Sequence, residues 1–352
     1  AATHKYEVTE AEGPAWVHYD FKGSSRQACQ RCHTATGFKN LANSPSTYNP
    51  ANNNFSYLTS NQKEMLYCWA CHKSNVGDLR NPGQFVLPSS TTYVYPSGRS
   101  FPTNLAGSFI CVNCHSGRVT GQYVANYSGS ISVSFSSFNS HYLAEGGILF
   151  RTIGYEFTGL DYSNGVTFAH DTIGTTGGTD GDGGPCVGCH MMTDDDHPNH
   201  ELEPVEKDGS DQVTDIKVYN NVCSKCHGNK ATLISTLNTR DTQYNAALDA
   251  IETQLESKGI CFSTSNPYFF VYNAGACTAT TYTSWPDKDT LGAAYNLNLF
   301  KHAPKAYAHN REYVRKLIYD SIDFLDDGTM NQSVEATLGG SGDAYDYLNG
   351  TR

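Results

Sequence analysis

Cys186-Val187-Gly188-Cys189-His190 is one of five copies of the pattern Cys-x-x-Cys-His, and those copies decide what kind of fold this chain can have. The others are Cys29-Gln30-Arg31-Cys32-His33, Cys68-Trp69-Ala70-Cys71-His72, Cys111-Val112-Asn113-Cys114-His115 and Cys223-Ser224-Lys225-Cys226-His227. The pattern reads as a c-type haem attachment site, in which both thiols bond to the haem vinyl groups and the adjacent histidine binds iron from one face. Composition alone would give about 0.015 copies in such a chain. Thioredoxin-like chemistry needs a single Cys-x-x-Cys near a βαβ pattern. A zinc site pairs such units at short separation, whereas the first cysteines here lie 39, 43, 75 and 37 residues apart. Five haem c are therefore the expected cofactors.

Ten of the twelve cysteines are consumed in this way, and Cys261 and Cys277 remain. They are expected to form a disulfide worth about 3 kcal/mol in the chain-entropy model. Two free thiols are the alternative, disfavoured in an oxidising compartment. Haem attachment takes place on the outer side of an energy-transducing membrane, so the chain is expected to be exported, and Ala1-Ala2 reads as the start of a processed mature chain. No apolar run reaches the length needed to span a bilayer. A net charge of −11 argues against nucleic acid, which needs a basic surface.

Hydrophobic residues make up 38% of the chain, below the usual ~45–50%. Haem macrocycles would replace the missing side-chain core. The expected fold is a multihaem c-type cytochrome, mostly coil wrapped around a haem row, with a few short helices and minimal β-structure. Its organisation reads as one haem-organised unit over 1–352, with all five motifs in 1–235. Residues 236–300 form a peripheral helical segment with the disulfide, and 301–352 a ligand-bearing helix and tail.

Tyr244, Leu248, Ile251 and Leu255 follow helical spacing, which predicts a helix over about 241–258 with Asp241 as cap and Gly259 as stop. A second is predicted over about 311–327, opening after Asn310, burying Val314, Leu317, Ile318, Ile322 and Leu325, and ending at Gly328. A short helix between Asn61 and Ser74 would present the second motif. Thr91-Thr92-Tyr93-Val94-Tyr95 reads as ribbon. Ile131, Val133 and Phe135 alternate with serines, a period-two signal for one half-buried strand. Gly174 to Pro185, with six glycines, reads as irregular. Asp180, Asp182 and Asp194-Asp195-Asp196 show no EF-hand spacing. Sequons at Asn54, Asn126, Asn331 and Asn349 are ordinary for so polar a chain.

Each iron needs a second axial ligand or an open position, and that ligand sets potential and reactivity. Beyond the proximal His33, His72, His115, His190 and His227, eight histidines remain: His4, His18, His141, His170, His197, His200, His302 and His309. They outnumber the five irons. Met65, Met191, Met192 and Met330 are weaker candidates, and Met191 and Met192 follow His190 too closely to reach the other face of its haem.

Several segments carry a resemblance. They are Trp16-Val17-His18-Tyr19 ahead of the first motif, Asn139-Ser140-His141-Tyr142-Leu143, Gly154-Tyr155-Glu156-Phe157, His170-Asp171-Thr172-Ile173-Gly174, Gly184-Pro185 leading into the fourth motif and Met191, and Tyr307-Ala308-His309-Asn310. The chain resembles extracellular multihaem c-type cytochromes of metal-respiring microbes, some of which polymerise into cytochrome nanowires. The resemblance implies distal-ligand roles for His18, His141, His170, His200 and His309. It favours His200 over His197, because His200-Glu201-Leu202-Glu203-Pro204-Val205 is similar to the family's His-x-aromatic-x-Pro-Val element, with Leu202 in place of the aromatic. His4 and His302 are then spare or inter-subunit ligands, and His4 and His18 are the candidates for donation to a neighbour. It further implies a head-to-tail filament of identical subunits, at the cell surface or outside the cell, passing electrons to redox partners or external acceptors.

Three function classes follow. Iron with two histidines has no vacant site, so the first reading is an electron conduit and not an enzyme. The second is a monomeric carrier in the periplasm or at the cell surface. The third is a nitrite- or hydroxylamine-type reductase, against which stand five motifs that all end in histidine and a surplus of distal candidates.

Overall fold

A computed structural model of the chain describes residues 19–60, 62–74, 78–83, 101–175, 183–192 and 200–352. Trp16, His4, His18, His197, Asp180, Asp182, and residues 91–95 and 194–196 lie outside the described residues. Contacts divide the chain into two units, one of Ala1–Thr92 and Pro102–Cys114, the other of Tyr93–Phe101 and His115–Arg352.

The smaller unit is built from short helices. Gln27–His33 carries the first motif and ends at Thr34, which caps the next helix, Ala35–Asn43. The Thr34 hydroxyl accepts the Gly37 N–H at 3.0 Å and donates to the Gln30 carbonyl at 2.8 Å, so one side chain closes one helix and opens another. The buried Glu64 carboxylate accepts the Thr36 N–H and the Thr36 hydroxyl, both at 3.0 Å, and the Tyr57 hydroxyl. It thus satisfies a helix N-terminus that has orphan donors and a positive dipole end. Ala35, Phe38 and Ala70 form a small buried cluster with Tyr67, Trp69, Ile110 and Cys114 against it.

The larger unit has a core of ordinary kind. Lys230–Ser257 is a 28-residue helix whose first N–H groups are accepted by the Asn229 side chain. It buries Tyr244, Ala247, Leu248, Ile251 and Leu255. Arg311–Asp327 opens where Asn310 Oδ1 accepts the Tyr313 N–H at 3.1 Å. It stops at Gly328, whose φ of 85° is the left-handed turn that glycine takes without penalty. Between them runs Lys288–Lys301, buried from Thr290 through Phe300 without a break. Gly292 is needed there for space: a Cβ would lie 2.3 Å from the Tyr155 ring. Inside this core the Asn296 amide accepts the Tyr155 N–H at 2.8 Å and donates to its carbonyl at 3.0 Å. A polar group so buried has to be paired in this way.

Strands are few. Val205–Lys207 and Val213–Ile216 form an antiparallel ribbon, and Ile260–Phe262, Phe269–Asn273 and Ala276–Thr281 a three-stranded antiparallel sheet in chain order. Cys261 and Cys277 are disulfide-bonded, with Cα atoms 5.5 Å apart.

Several expectations are corrected. The chain holds more helix than "mostly coil with a few short helices" allows, with thirteen α-helices among the described residues. The helix expected at 241–258 begins at Lys230, so Asp241 is not its cap; the Asp241 carboxylate instead binds Lys305. Residues 236–300, expected at the periphery, supply much of the buried core. Around the second motif, among the described residues, only Cys68–Cys71 is helical. Ile131, Val133 and Phe135 form no strand. The Ser134 hydroxyl accepts the Ser136 N–H and caps a 3-10 turn over Phe135–Ser137, a local bond by which serine competes with strand pairing.

Candidate haem-ligand site

The spacing of the motif has a direct structural reading. In a helix, residues i, i+3 and i+4 share one face, so two thiols and a histidine point the same way. The first, third and fourth motifs lie on Gln27–His33, Phe109–His115 and Gly184–His190, with the histidine as last residue. The second occupies Cys68–Cys71 with His72 just beyond, and the fifth the 3-10 turn Cys223–Lys225 with His227 beyond it.

Four imidazoles are oriented by backbone carbonyls. His115 Nδ1 lies 3.0 Å from the Leu143 oxygen and His190 Nδ1 2.9 Å from that of Leu202. His170 Nδ1 lies 3.1 Å from the Ala308 oxygen and His309 Nδ1 3.1 Å from that of Lys305. A carbonyl only accepts, so each Nδ1 carries the proton and donates it, leaving the Nε2 lone pair for a metal.

Two of these rings stand opposite motif histidines. The centroids of His190 and His309 are 6.1 Å apart with planes 7° from parallel. Those of His170 and His227 are also 6.1 Å apart, with planes at 68°. Parallel rings stacked face to face come closer, as Phe21 does on His33 at 4.3 Å. Two imidazoles sharing one metal, each bonded at roughly 2.0–2.1 Å, have centroids on the order of 6 Å apart. The residues present fit a haem iron held between two histidines.

The turn that carries His309 is held from both sides. Lys305 Nζ lies 3.0 Å from Asp211 and 2.9 Å from Asp241. Asn310 Nδ2 donates to the Leu149 carbonyl at 3.0 Å. Burial holds His309 and His170 below the ordinary histidine range, which keeps them neutral, as metal ligation requires. At His115 burial also disfavours the charge, but the Glu145 carboxylate 3.8 Å away outweighs it and raises the imidazole.

The motifs also approach one another. The Cys32 thiol is a hydrogen-bond partner of Cys114, which with burial lifts the Cys114 thiol well above its usual range. Cys189 is pushed up to about 12, by burial first and then by Cys223 and Cys186. Cys189 and Cys223 both pack on the cluster of Ile216, Val218 and Val222.

The remaining candidates are placed as follows. His141 has a left-handed backbone, φ 76°, with its ring 5.6 Å from that of Tyr142, and His200 is exposed. His302 is buried among Tyr142, Tyr268 and Phe262. Met192 packs on the cluster beside the fourth and fifth motifs and Met330 on the main core. What the residue pattern did not disclose is the set of carbonyls at Leu143, Leu202, Lys305 and Ala308, since a backbone acceptor has no side-chain signature.

Comparison with known proteins points the same way. Residues 1–80 match the family described as C-type polyheme cytochrome domain 2. The chain is 40% identical, over 96% of its length and 49% of the relative's, to the C-type polyheme cytochrome OmcB of Geobacter sulfurreducens. It is 38% identical, over 94% and 47%, to the C-type polyheme cytochrome OmcC of the same organism. The chain spans about half the length of the curated relatives it matches. No solved structure matches it. Among the described residues no helix is long and apolar enough to cross a membrane. These matches support a multihaem c-type cytochrome with haem c as cofactor.

Proposed function

We propose that the chain conducts electrons along five haems c, each iron held between two histidines, and that it does so outside the cytoplasm. The observation that carries this is the pair of 6.1 Å imidazole separations, each joining a motif histidine to one outside the motifs. His309 is the proposed distal ligand of the fourth motif and His170 that of the fifth, with His18, His141 and His200 for the rest. Haem supplies one-electron chemistry, and its potential responds to axial ligands, hydrogen bonds and burial. The chain's own residues set a second histidine opposite two motif histidines, hold four imidazoles in one tautomer and keep the motifs close. The proximity of Cys32 to Cys114 and of Cys189 to Cys223 supports a row in which the first motif neighbours the third and the fourth the fifth. With both axial positions filled, no substrate binds iron, which sets a conduit apart from a reductase.

Intact mass after denaturation should show five haems, and the ferric spectrum only low-spin iron. His309→Ala should convert one haem to high spin and let it bind carbon monoxide when reduced. An unchanged spin state would remove His309 from the ligand set. Head-to-tail association of identical subunits, with His4 or His18 donated to a neighbour, would extend the row; a heterologous contact of this kind propagates without closing. Negative-stain images should then show filaments. Single particles with every iron low-spin would instead assign the role of a carrier acting alone.

A further inference from the structure

Leu143 and Leu202 share four properties. Both have left-handed backbones, φ 55° and 60°, a conformation disfavoured for any residue with a Cβ. Both side chains are exposed, at 50% and 53%, so side-chain burial does not account for the conformation. Each carbonyl accepts the Nδ1 proton of a motif histidine, His115 for Leu143 and His190 for Leu202. Each also lies two residues after a non-motif histidine, His141 or His200.

We propose that Leu143 and Leu202 are positioning residues, and that each His-x-Leu segment serves two irons: its histidine ligates one, and its leucine carbonyl orients the proximal histidine of another. The inference rests on the ligand reading above and deepens it. The reason for two irons is reach. The carbonyl stands behind the proximal imidazole, on the side away from its metal. Two extended residues span at most about 7 Å, too short to carry the chain round the rim of a macrocycle to its other face. For the fourth motif the opposite side is already taken, since His309 stands 6.1 Å from His190. A third segment does the same for a non-motif ring, on a helical turn: the Ala308 carbonyl orients His170, while its neighbour His309 faces His190. A left-handed leucine is what lets a short segment turn its carbonyl back onto a proximal ring.

The test uses the haem-loaded protein and electron paramagnetic resonance at controlled potential. The low-spin signal that His309→Ala abolishes identifies the iron bound by His190. Leu202→Pro cannot hold a positive φ, whereas Leu202→Gly holds it freely. Leu202→Pro should shift the g-values of that one signal and raise its midpoint potential, because an imidazole that loses its N–H···O bond is a weaker donor to the metal. Leu202→Gly should keep both in place, and His200→Ala should turn a different iron high-spin. If Leu202→Pro fails to load five haems, Leu202→Val gives the same readout, since a β-branched residue is an outlier in the left-handed region. The proposal is overturned if displacing the carbonyl leaves that signal and midpoint unchanged, or if His200→Ala turns the His190 iron itself high-spin. Should His309→Ala abolish no low-spin signal, the ligand reading fails first and this proposal falls with it.

Discussion

The helices that carry the attachment motifs and the helices that follow them are built on different terms. Gln27–His33, Cys68–Cys71, Phe109–His115 and Gly184–His190 are four to seven residues long. Lys230–Ser257, Lys288–Lys301 and Arg311–Asp327 run for 28, 14 and 17. Isolated helices below about 12–15 residues are marginal in water, so each needs a surface to lie on. The long helices find it in one another, around Leu248, Leu297 and Leu317. The motif helices have only modest clusters such as Ala35, Phe38 and Ala70, and the flat faces of covalently bound haem are the natural complement. Polypeptide core is thickest where the motifs are absent.

That contrast can be broken most decisively by withholding haem. Expressed without attachment, the full chain should lose all protection from limited proteolysis in the motif helices, while the long helices and the 119–162 segment packed with them stay protected. Cooperative loss of the whole chain would mean that the two regions share one stability. A smaller but still large effect is expected within the long-helix core. Leu317→Ala removes a fully buried side chain and should cost about 2–5 kcal/mol in denaturant unfolding, with five haems attached and an unchanged visible spectrum. A spectrum that moved would show that core packing reaches the irons.

Smaller again is the joint between the regions' two kinds of structure, at Lys305. Lys305→Met deletes the pairs with Asp211 and Asp241, worth about 0.2–1 kcal/mol when exposed to solvent. Heterogeneity in the spectrum of the iron proposed for His309 is its expected signature, and an unbroadened signal would show that Asn310 alone holds the turn. The smallest effect belongs to Glu64. Burial lifts its carboxyl above the ordinary range, although hydrogen bonds from Tyr57 and Thr36 pull it back. The folded form therefore holds this proton more tightly than the unfolded one, so stability falls as pH rises from 4.5 towards the elevated value and is level beyond it. Glu64→Gln should flatten that slope in thermal melts between about pH 4 and 8. An unaltered slope would assign the pH dependence to other groups.

The Arg311–Asp327 helix was legible because cap, stop and one apolar stripe agreed at Asn310, Gly328 and Val314 through Leu325. Lys288–Lys301 was not, because a helix buried on every side shows no amphipathic period. The first half of Lys230–Ser257 was hidden for another reason. Leu233, Ile234 and Leu237 face the cluster of Ile216, Val218 and Val222, whereas Tyr244, Leu248 and Ile251 face the main core. The apolar face changes along the helix, and the periodicity blurs. At the site, the five Cys-x-x-Cys-His repeats could be read directly from the sequence. Which distal ring faces which motif could not, because His190 and His309 are 119 residues apart and only tertiary packing joins them.

The turn at Ala308 and His309 has a mechanical consequence. The Ala308 carbonyl bonded to His170 and the His309 backbone belong to a single peptide plane, which cannot be twisted without breaking its resonance. His170 and His309 are thus linked by one stiff unit and one 3.1 Å hydrogen bond, so thermal motion should displace them largely in phase. Electron tunnelling depends steeply on the gap between donor and acceptor. Under the ligand assignment proposed above, a joint that makes His170 and His309 tremble together would keep the gap between their haems steady, even while the whole turn drifts.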